Sequence, residues 1–454
     1  MLPRSPKNTQ PNLFHNQLRD MLDSYDPLIA LSDTINWELF DESFAKCYSE
    51  DGRPAKPIRL IVGLLLLKQL ENLSDENVVL QWKRNPYYQY FCGMTEYQSA
   101  LPCDPTDLVY FRKRIGTQGV EQLFSMSVSL HGKSAQEDQV IIDTTVQEKN
   151  VTYPTDGKLA IKMIHHLHKI AKEEGIKLRR TYVKEIKGHR ISLRFFRHPK
   201  KIKKARAAMK RLGTIVGILI RDISRKLDET QFAKHQEAFD LYEKVIKQKR
   251  KDSNKVYSLH ESHIYAIAKG KDHKKYEYGT KASLVTTMKS NIIIGVAAHQ
   301  KNEHDSKTLE AALASANKHR TKPIVEAICD RGYRGKKEVD GTVICIPDKP
   351  LKRDTKYQKE QKRKKFRRRA AIEPIIGHVK SDHRMQRNYL KGFAGDEINL
   401  LLAATAFNLK KWMNLFLLLI FMLNMALILR GLAHIRRNQR RKYADLYLMI
   451  YRLW

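Results

Sequence analysis

The sequence predicts an α/β core, a mixed sheet with flanking helices, together with an all-helical N-terminal domain and a helical insertion. Three observations support this fold class. Helical patterns fill the chain before residue 130, runs rich in β-branched residues begin near residue 136, and about 110 residues separate the first two runs, too many for an unstructured loop. We therefore assign 1–130 to the helical domain, 136–414 to the α/β domain with its insertion at about 155–260, and 415–454 to an apolar, then basic tail.

The N-terminal domain is predicted to be helical from its apolar segments and its capping residues. Residues 58–70 form an apolar helix, and Ser74 can cap the next helix, which continues through Trp82. A further helix begins after Thr106 and carries Arg112, Lys113 and Arg114. Such a helix can enter a DNA groove, although a basic helix is more often a solvated face.

The strands of the core are predicted from short runs of β-branched and apolar residues. Five runs fit this pattern: 139–147, 276–287, 291–298, 323–329 and 342–346. After the third run, Asp305 or Ser306 can cap an Ala-rich helix that extends to about residue 317.

The insertion is predicted to contain helices. Asp156 and Gly175 bracket the first one, and a second, basic helix is predicted over 200–226. The first helix carries three histidines, but no cysteine or carboxylate accompanies them at the spacing of a metal site. We therefore do not interpret the histidines as metal ligands.

Two aspartates follow predicted strands. Asp143 closes the run 140–142, and Asp330 closes the run 324–329 just before a turn-forming Arg-Gly-Tyr-Arg-Gly segment. A single aspartate in such a position is most often a cap. Carboxylates that gather at the ends of adjacent buried strands, however, need a cation to neutralise them, and their oxygens suit Mg²⁺ or Mn²⁺.

A third carboxylate, Glu373, lies in a basic segment with a specific spacing. Its surroundings resemble the Tyr-x(2)-Arg-x(3)-Glu-x(6)-Lys signature of bacterial insertion-sequence transposases. Arg369, Glu373 and Lys380 match this signature, whereas Phe366 replaces the Tyr and lacks its hydroxyl. At about 100° per residue, the four positions fall on one face of a helix. Pro374 must either start that helix or kink it.

The resemblance covers roughly residues 13–414 and rests on several further motifs. Those in the helical domain look like the N-terminal domain of the insertion-sequence-5 family: Gly52-Arg53-Pro54-Ala55-Lys56-Pro57, Val62-Gly63-Leu64-Leu65-Leu66-Leu67-Lys68, Asn72-Leu73-Ser74-Asp75-Glu76, Asn85-Pro86-Tyr87 and Phe111-Arg112-Lys113-Arg114-Ile115-Gly116. Those in the core are similar to the same family: Ala268-Lys269-Gly270-Lys271, His304-Asp305-Ser306 and Cys329-Asp330-Arg331-Gly332-Tyr333.

The resemblance implies a DDE-type transposase that binds the inverted-repeat ends of its element and catalyses metal-dependent DNA cleavage and strand transfer. The predicted core, with acids on its first and fourth strands, likewise resembles the ribonuclease H-like fold. Asp143, Asp330 and Glu373 are then both catalytic residues and ligands of Mg²⁺, for which Mn²⁺ can substitute. The residues expected to contact DNA are Arg369, Lys380, Arg112, Lys113, Arg114, Arg367 and Arg368.

Composition agrees with a nucleic-acid partner. The chain has 84 Lys and Arg against 49 Asp and Glu, a formal charge of +35, which indicates a polyanionic partner. Between residues 352 and 369, eleven of eighteen residues are Lys or Arg, and this run leads into Glu373. We expect double-stranded DNA, both inverted repeats and target, as the partner of a homo-oligomer, with no small-molecule substrate.

The five cysteines form no C-x-x-C pair, so the sequence indicates neither a zinc ribbon nor a disulfide framework. No signal peptide is predicted in the first twenty residues. We therefore expect a cytoplasmic, nucleoid-associated protein. The apolar run 412–429 has 18 residues with basic residues on both sides, which is the lower limit for a membrane span. We interpret it as a packed or oligomerising helix, with membrane association as the less favoured alternative.

Two other functions stay open. A structure-specific nuclease would share the core and the metal ions but would hydrolyse DNA without joining it to a target. A non-mobile remnant would act only as a DNA-binding protein. Such a remnant would have no reason to keep all three acids, which the sequence retains.

Overall fold

The computed structural model describes residues 17–48, 54–249, 251–268, 275–347, 351 and 353–451, with side chains as far as Arg430. Several parts of the motifs above lie outside the described residues: 13–16, Gly52 and Arg53, 269–271, and Lys352 of the basic run.

Seven helices form the N-terminal region within the described residues: α1 (Leu18–Met21), α2 (Pro27–Thr34), α3 (Glu38–Ala45), α4 (Ile58–Leu70), α5 (Asp75–Arg84), α6 (Pro86–Phe91) and α7 (Pro105–Ser129). The helix α4 is buried around nearly its whole circumference, which explains its unbroken apolar sequence. Ser74 caps α5 as predicted, accepting from the Asn77 amide. Helix α7 starts at an Asp104 capping box and bends at Gly116, where φ is 59°.

A mixed sheet of eight strands lies at the centre of the catalytic region: β1 (Gln139–Lys149), β2 (Tyr265–Ala268), β3 (Tyr276–Thr287), β4 (Ile293–His299), β5 (Glu326–Ile328), β6 (Glu338–Val339), β7 (Thr342–Cys345) and β8 (Arg387–Asn388). The central strand β1 pairs antiparallel with β3 and parallel with β5. The predicted mixed sheet is therefore confirmed. The predicted strand 323–329 is a strand only over β5, and β2, β6 and β8 were not predicted.

Four helices, α8 (Asp156–Glu173), α9 (Val183–Ser192), α10 (Ile202–Ser224) and α11 (Glu229–Lys247), form the insertion between β1 and β2. Their apolar faces pack into a hydrophobic cluster of their own. The larger cluster is shared, since it contains side chains from the N-terminal helices, the sheet and the last helix of the chain. Within the described residues, the insertion helices therefore have a hydrophobic core of their own and contribute no side chain to the larger core.

The helices that flank the sheet are α12 (Asp305–Lys318), α13 (Lys356–Arg369), α14 (Ile372–Ser381) and α15 (Gly392–Tyr451). The expected cap of α12 was wrong by one residue, because His304 is the cap and Asp305 is the first helical residue. The helix α13 has no buried residue. The resulting architecture is a mixed sheet with flanking helices and a helical N-terminal region, as the sequence predicted.

The helix α15 changes character along its length. Its residues from Ile398 to Met413 are mostly buried against the N-terminal helices and the sheet. From Leu415 to Leu429 most of its large apolar side chains are exposed. By length and composition alone, the described segment Gly392–Arg430 could cross a membrane: its most apolar 18-residue window has a mean hydropathy of 2.3 and is 6% buried.

Candidate active site

The first predicted acid, Asp143, lies on β1. Its Oδ1 accepts a hydrogen bond from the amide of Thr144, the next residue, at 2.8 Å. The last parallel pair between β1 and β5 joins Ile141 to Ile328. Asp143 stands two residues beyond this pair on its strand, and Asp330 stands two residues beyond it on the other.

The second predicted acid, Asp330, follows β5 and opens a short 3₁₀ turn. Its Oδ1 accepts a hydrogen bond from the amide of Gly332 at 2.8 Å, which holds the carboxylate in a local turn. Both aspartates lie close enough to Cys329 to affect its thiol. Burial raises the pKa of this thiol most, and the negative charges of Asp330 and Asp143 raise it further. The structure therefore brings Asp143 and Asp330 to the same edge of the sheet.

The third predicted acid, Glu373, is the second residue of α14, and its side chain is 63% exposed. Arg369 lies between this glutamate and the sheet. One guanidinium nitrogen is 3.9 Å from Asp143 Oδ2, and the other is 3.5 Å from Glu373 Oε1. Both distances are ion-pair distances rather than tight hydrogen bonds. Arg369 is thus the cation that links Glu373 to the strand acids.

The signature residues occupy two helices rather than one. Phe366 and Arg369 belong to α13, and Glu373 and Lys380 belong to α14. The prediction that all four share one helix face was therefore wrong. Pro374 explains the break: within a continuous helix its ring would clash with the carbonyl group of Ala370, whereas in the first turn of α14 its missing N–H has no cost.

The three predicted ligands stand apart in this structure. Within the described residues, no three His, Cys, Asp or Glu side chains stand close enough together to hold a metal ion. The donor chemistry nevertheless fits Mg²⁺, because all three predicted ligands offer hard carboxylate oxygens and Glu373 is exposed. In this structure the Arg369 guanidinium supplies the positive charge between Asp143 and Glu373.

A fourth carboxylate, Asp305, lies beside the strand acids and was not predicted as part of the site. Its Oδ1 accepts hydrogen bonds from Thr144 Oγ1 at 3.0 Å and from Lys281 Nζ at 2.9 Å. The sequence showed Asp305 only as a possible helix cap within a family-like motif. Its place in the site depends on contacts across more than 160 positions of the chain, which no local pattern reveals.

Tyr333 is a further residue that the sequence did not single out. It is fully buried, and burial followed by the charge of Asp143 raises the pKa of its hydroxyl well above the usual value. The tyrosine therefore stays neutral beside the acids at any physiological pH.

Arg112 does not face DNA, contrary to expectation. Its side chain is 4% exposed and donates two hydrogen bonds to Asp75, at 2.8 and 2.7 Å. Burial, and then the charge of Arg112, lower the pKa of the neighbouring Lys68 to about 8. Burial alone would raise the pKa of Asp75. The hydrogen bonds from Arg112 and the positive charge of Lys68 outweigh this effect and lower the pKa to about 2. Arg112 is therefore part of a buried ion cluster with Asp75 and Lys68.

The other basic residues expected to contact DNA differ in their surroundings. Arg368 clamps the turn between β3 and β4, where it donates to the carbonyl oxygens of Met288 and Lys289 and to the side chain of Asn291. Its guanidinium is therefore occupied within the fold. Three of the others are exposed: Lys113, Arg114 and Arg367. Lys380 is partly exposed at the end of α14.

Two protein families match parts of this chain. The family described as "Transposase domain (DUF772)" matches residues 16–114, and the family described as "Transposase DDE domain" matches residues 233–409. The chain belongs to the DDE transposases. This transposase is also similar to a protein from Rhizobium meliloti described as "Uncharacterized protein ORF8 in nfe locus", with 39% identity over 203 residues, which are 44% of the chain and 98% of the relative. No solved structure matches the transposase.

The DDE match includes Asp330 and Glu373, whereas Asp143 lies between the two matched ranges. The sheet resolves this separation. The strand β1, which carries Asp143, pairs with β3 and β5, and both of these strands lie within the DDE match. The helical insertion separates β1 from the matched strands in sequence but not in space.

Proposed function

We propose that this transposase belongs to the insertion-sequence-5 family, binds the inverted-repeat ends of its element, and catalyses DNA cleavage and strand transfer. One observation carries the proposal. Asp143 and Asp330 stand at equivalent positions of two paired parallel strands, and Arg369 connects Asp143 to Glu373. The ordered motifs of the N-terminal region and the core support the choice of family.

DDE transposases use divalent metal ions. We infer that Asp143, Asp330 and Glu373 would hold two Mg²⁺ ions, with Mn²⁺ able to substitute. When bound, such a pair activates water or a DNA 3′-hydroxyl and stabilises the leaving oxygen. The chain's own contribution is orientation: the amides of Thr144 and Gly332 fix one oxygen each of Asp143 and Asp330.

The cations of the site have a separate role in the proposal. Arg369 reduces the repulsion between Asp143 and Glu373 in the absence of substrate. Together with Lys380, it would then hold the DNA phosphates near the scissile bond, where positive charge stabilises the transition state. No covalent intermediate with the protein is required, because the attacking oxygen displaces the leaving oxygen directly at phosphorus.

The surface for DNA is inferred from exposed positive charge. Helix α13 has no buried residue, and Glu373 follows four residues after its end. Lys113 and Arg114 add exposed charge on α7. We propose that the helical region recognises the ends, that α13 tracks phosphates of inverted-repeat and target DNA, and that a homo-oligomer of this cytoplasmic, nucleoid-associated protein joins both ends.

The proposal is tested by three substitutions of nearly equal volume, Asp143→Asn, Asp330→Asn and Glu373→Gln. Each removes a charged ligand, so cleavage of end-containing DNA in Mg²⁺ should be lost while binding to the same DNA persists in a gel-shift assay. Asp156→Asn, at the start of α8 in the insertion, is the control that should cut normally. Cleavage by any one of the three variants would contradict the assignment.

A strand-transfer assay separates the proposal from its alternatives. A transposase joins the 3′-hydroxyl of a cut end to target DNA, whereas a structure-specific nuclease yields cleaved products alone. A remnant that only binds DNA gives neither product.

A further inference from the structure

Asp305 contacts the residue that orients the first catalytic acid. Its Oδ1 accepts a hydrogen bond from Thr144 Oγ1 at 3.0 Å. The amide of the same Thr144 donates to Asp143 Oδ1 at 2.8 Å. The hydroxyl bond to Asp305 therefore fixes the residue whose backbone holds the Asp143 carboxylate.

Asp305 also adjoins the residue that orients the second catalytic acid. The amide of Gly332 donates to Asp330 Oδ1 at 2.8 Å. A Cβ atom on Gly332 would lie 3.0 Å from Asp330 Oδ1 and 3.1 Å from Asp305 Oδ2. Both distances are shorter than ordinary van der Waals contact, so a side chain at this position would force one or both carboxylates to move. Asp305 thus bonds to Thr144 through one oxygen, and its other oxygen lies beside the space that a side chain at position 332 would fill.

The negative charge of Asp305 is compensated from two directions. Lys281, on β3, donates from its ammonium to Asp305 Oδ1 at 2.9 Å and to the carbonyl oxygen of Glu303 at 2.6 Å. Asp305 is the first residue of α12, where the helix dipole favours an acidic side chain. These contacts hold the carboxylate in one place next to two other acids, which would otherwise repel it.

We propose that Asp305, held by Lys281, is a positioning residue that keeps Asp143 and Asp330 in the orientation that binds the catalytic metal ions. The inference rests on the proposed function of Asp143 and Asp330 as metal ligands. Asp305 itself is not assigned as a ligand, because its Oδ1 already accepts two hydrogen bonds within the fold. Residues that orient metal ligands typically affect metal affinity or activity by about 10- to 100-fold.

The test compares Asp305→Ala and Asp305→Asn with the wild-type chain. In Asp305→Ala, the Mg²⁺ concentration for half-maximal DNA cleavage should rise by about tenfold or more, and direct titration with Mn²⁺ should show a similar loss of affinity. Asp305→Asn keeps an oxygen for Thr144 but loses the charge that holds Lys281, so its loss should be smaller. Asp156→Asn is the matched control, since Asp156 is likewise the first residue of a helix.

A second variant covers the case in which Asp305→Ala does not fold. Thr144→Val preserves the volume of the side chain and removes only the hydroxyl that donates to Asp305. It should weaken Mn²⁺ binding in the same direction while the melting temperature stays near that of the wild type. Unaltered Mn²⁺ affinity in the folded Asp305 variants and in Thr144→Val would overturn the positioning role.

The outcomes distinguish this inference from the proposed function. If Asp143→Asn abolishes cleavage while Asp305→Ala keeps the normal metal dependence, the positioning role fails and the transposase assignment stands. If Asp143→Asn still cleaves, the proposed function fails. The Mn²⁺ titration needs no cleavage, so it tests the positioning of the acids even where no DNA substrate is cut.

Discussion

At the scale of single residues, the site depends on glycine where two carboxylates approach each other. Gly332 separates Asp330 from Asp305, and a methyl group there would lie within about 3 Å of both. The sequence showed this glycine only as part of a turn. Its real constraint is steric, and it comes from a residue on a different element.

We predict that Gly332→Ala lowers the rate of DNA cleavage by about tenfold or more, because the added methyl displaces one or both carboxylates from their hydrogen bonds. The rate is measured at saturating Mg²⁺ and again across a Mg²⁺ series. Gly213→Ala, in α10, is the control, since a Cβ there meets no neighbouring atom. A normal rate in Gly332→Ala would show that the site tolerates the methyl.

Two adjacent basic residues on α7 should contribute to different properties, one to stability and the other to DNA binding. Arg112 is buried and donates hydrogen bonds to Asp75, whereas Lys113 is exposed. Arg112→Ala leaves Asp75 without its strongest partner, so the free energy of unfolding should fall by about 3 kcal/mol. Lys113→Ala should leave stability unchanged and, where it contacts DNA, reduce the salt dependence of binding by about one unit of slope.

Chemical denaturation and DNA titration at several salt concentrations measure both effects. Equal stability of the two variants would contradict the assignment of Arg112 to a buried ion cluster. The basic run predicted on α7 was present in the structure, but sequence alone could not separate the buried arginine from its exposed neighbours. That difference comes from Asp75, 37 residues away on another helix.

At the scale of elements, long patterned segments were predicted well and short ones were not. The strand β3 and the helix α4 match their predicted bounds, because each is a long segment of consistent character, and the apolar run of α4 has the length of a helix. The strands β2, β6 and β8 contain four residues or fewer, so they form through pairing with neighbours rather than through their own pattern. The break between α13 and α14 was hidden by two alanines, which favour helix, and arises from Pro374.

Helix α13 leads to a prediction about DNA affinity. Lys359, Arg363 and Arg367 are exposed and spaced four residues apart, so they form a single stripe on the helix. Replacing all three with Gln should weaken binding and reduce the slope of log affinity against log salt by about 2 to 3, because fewer counterions are released. Circular dichroism checks that the helix persists. An unchanged slope would exclude this stripe from the DNA surface.

At the scale of the whole molecule, the helix α15 contains a buried segment followed by an exposed apolar segment. Its first part completes the shared core, whereas most of its large apolar side chains from Leu415 to Leu429 are exposed. Contiguous exposed apolar surface of this extent indicates association with something outside the fold. The sequence predicted a tail from residue 415, but it could not show that the apolar side chains of this segment are exposed.

We predict that a chain ending at Asn414 keeps its fold and its cleavage activity, since the core residues through Met413 remain. It should elute from size exclusion at its monomeric or defined oligomeric volume and bind less of an apolar dye than the chain of 454 residues. Replacing Leu418 and Leu423, both exposed, with Lys should also reduce the binding of the apolar dye. Equal dye binding by all three proteins would show that the segment is covered in solution.

The shared core also governs the order in which the protein can assemble on the ribosome. The central strand β1 is synthesised early, but its partner β5 follows about 180 residues later and α15, which closes the core over the N-terminal helices, later still. At roughly 5–20 residues per second, β1 waits on the order of tens of seconds for these partners. The proposed catalytic acids therefore meet only near the end of synthesis, and a nascent chain stalled before α15 would carry exposed positive charge without a completed core.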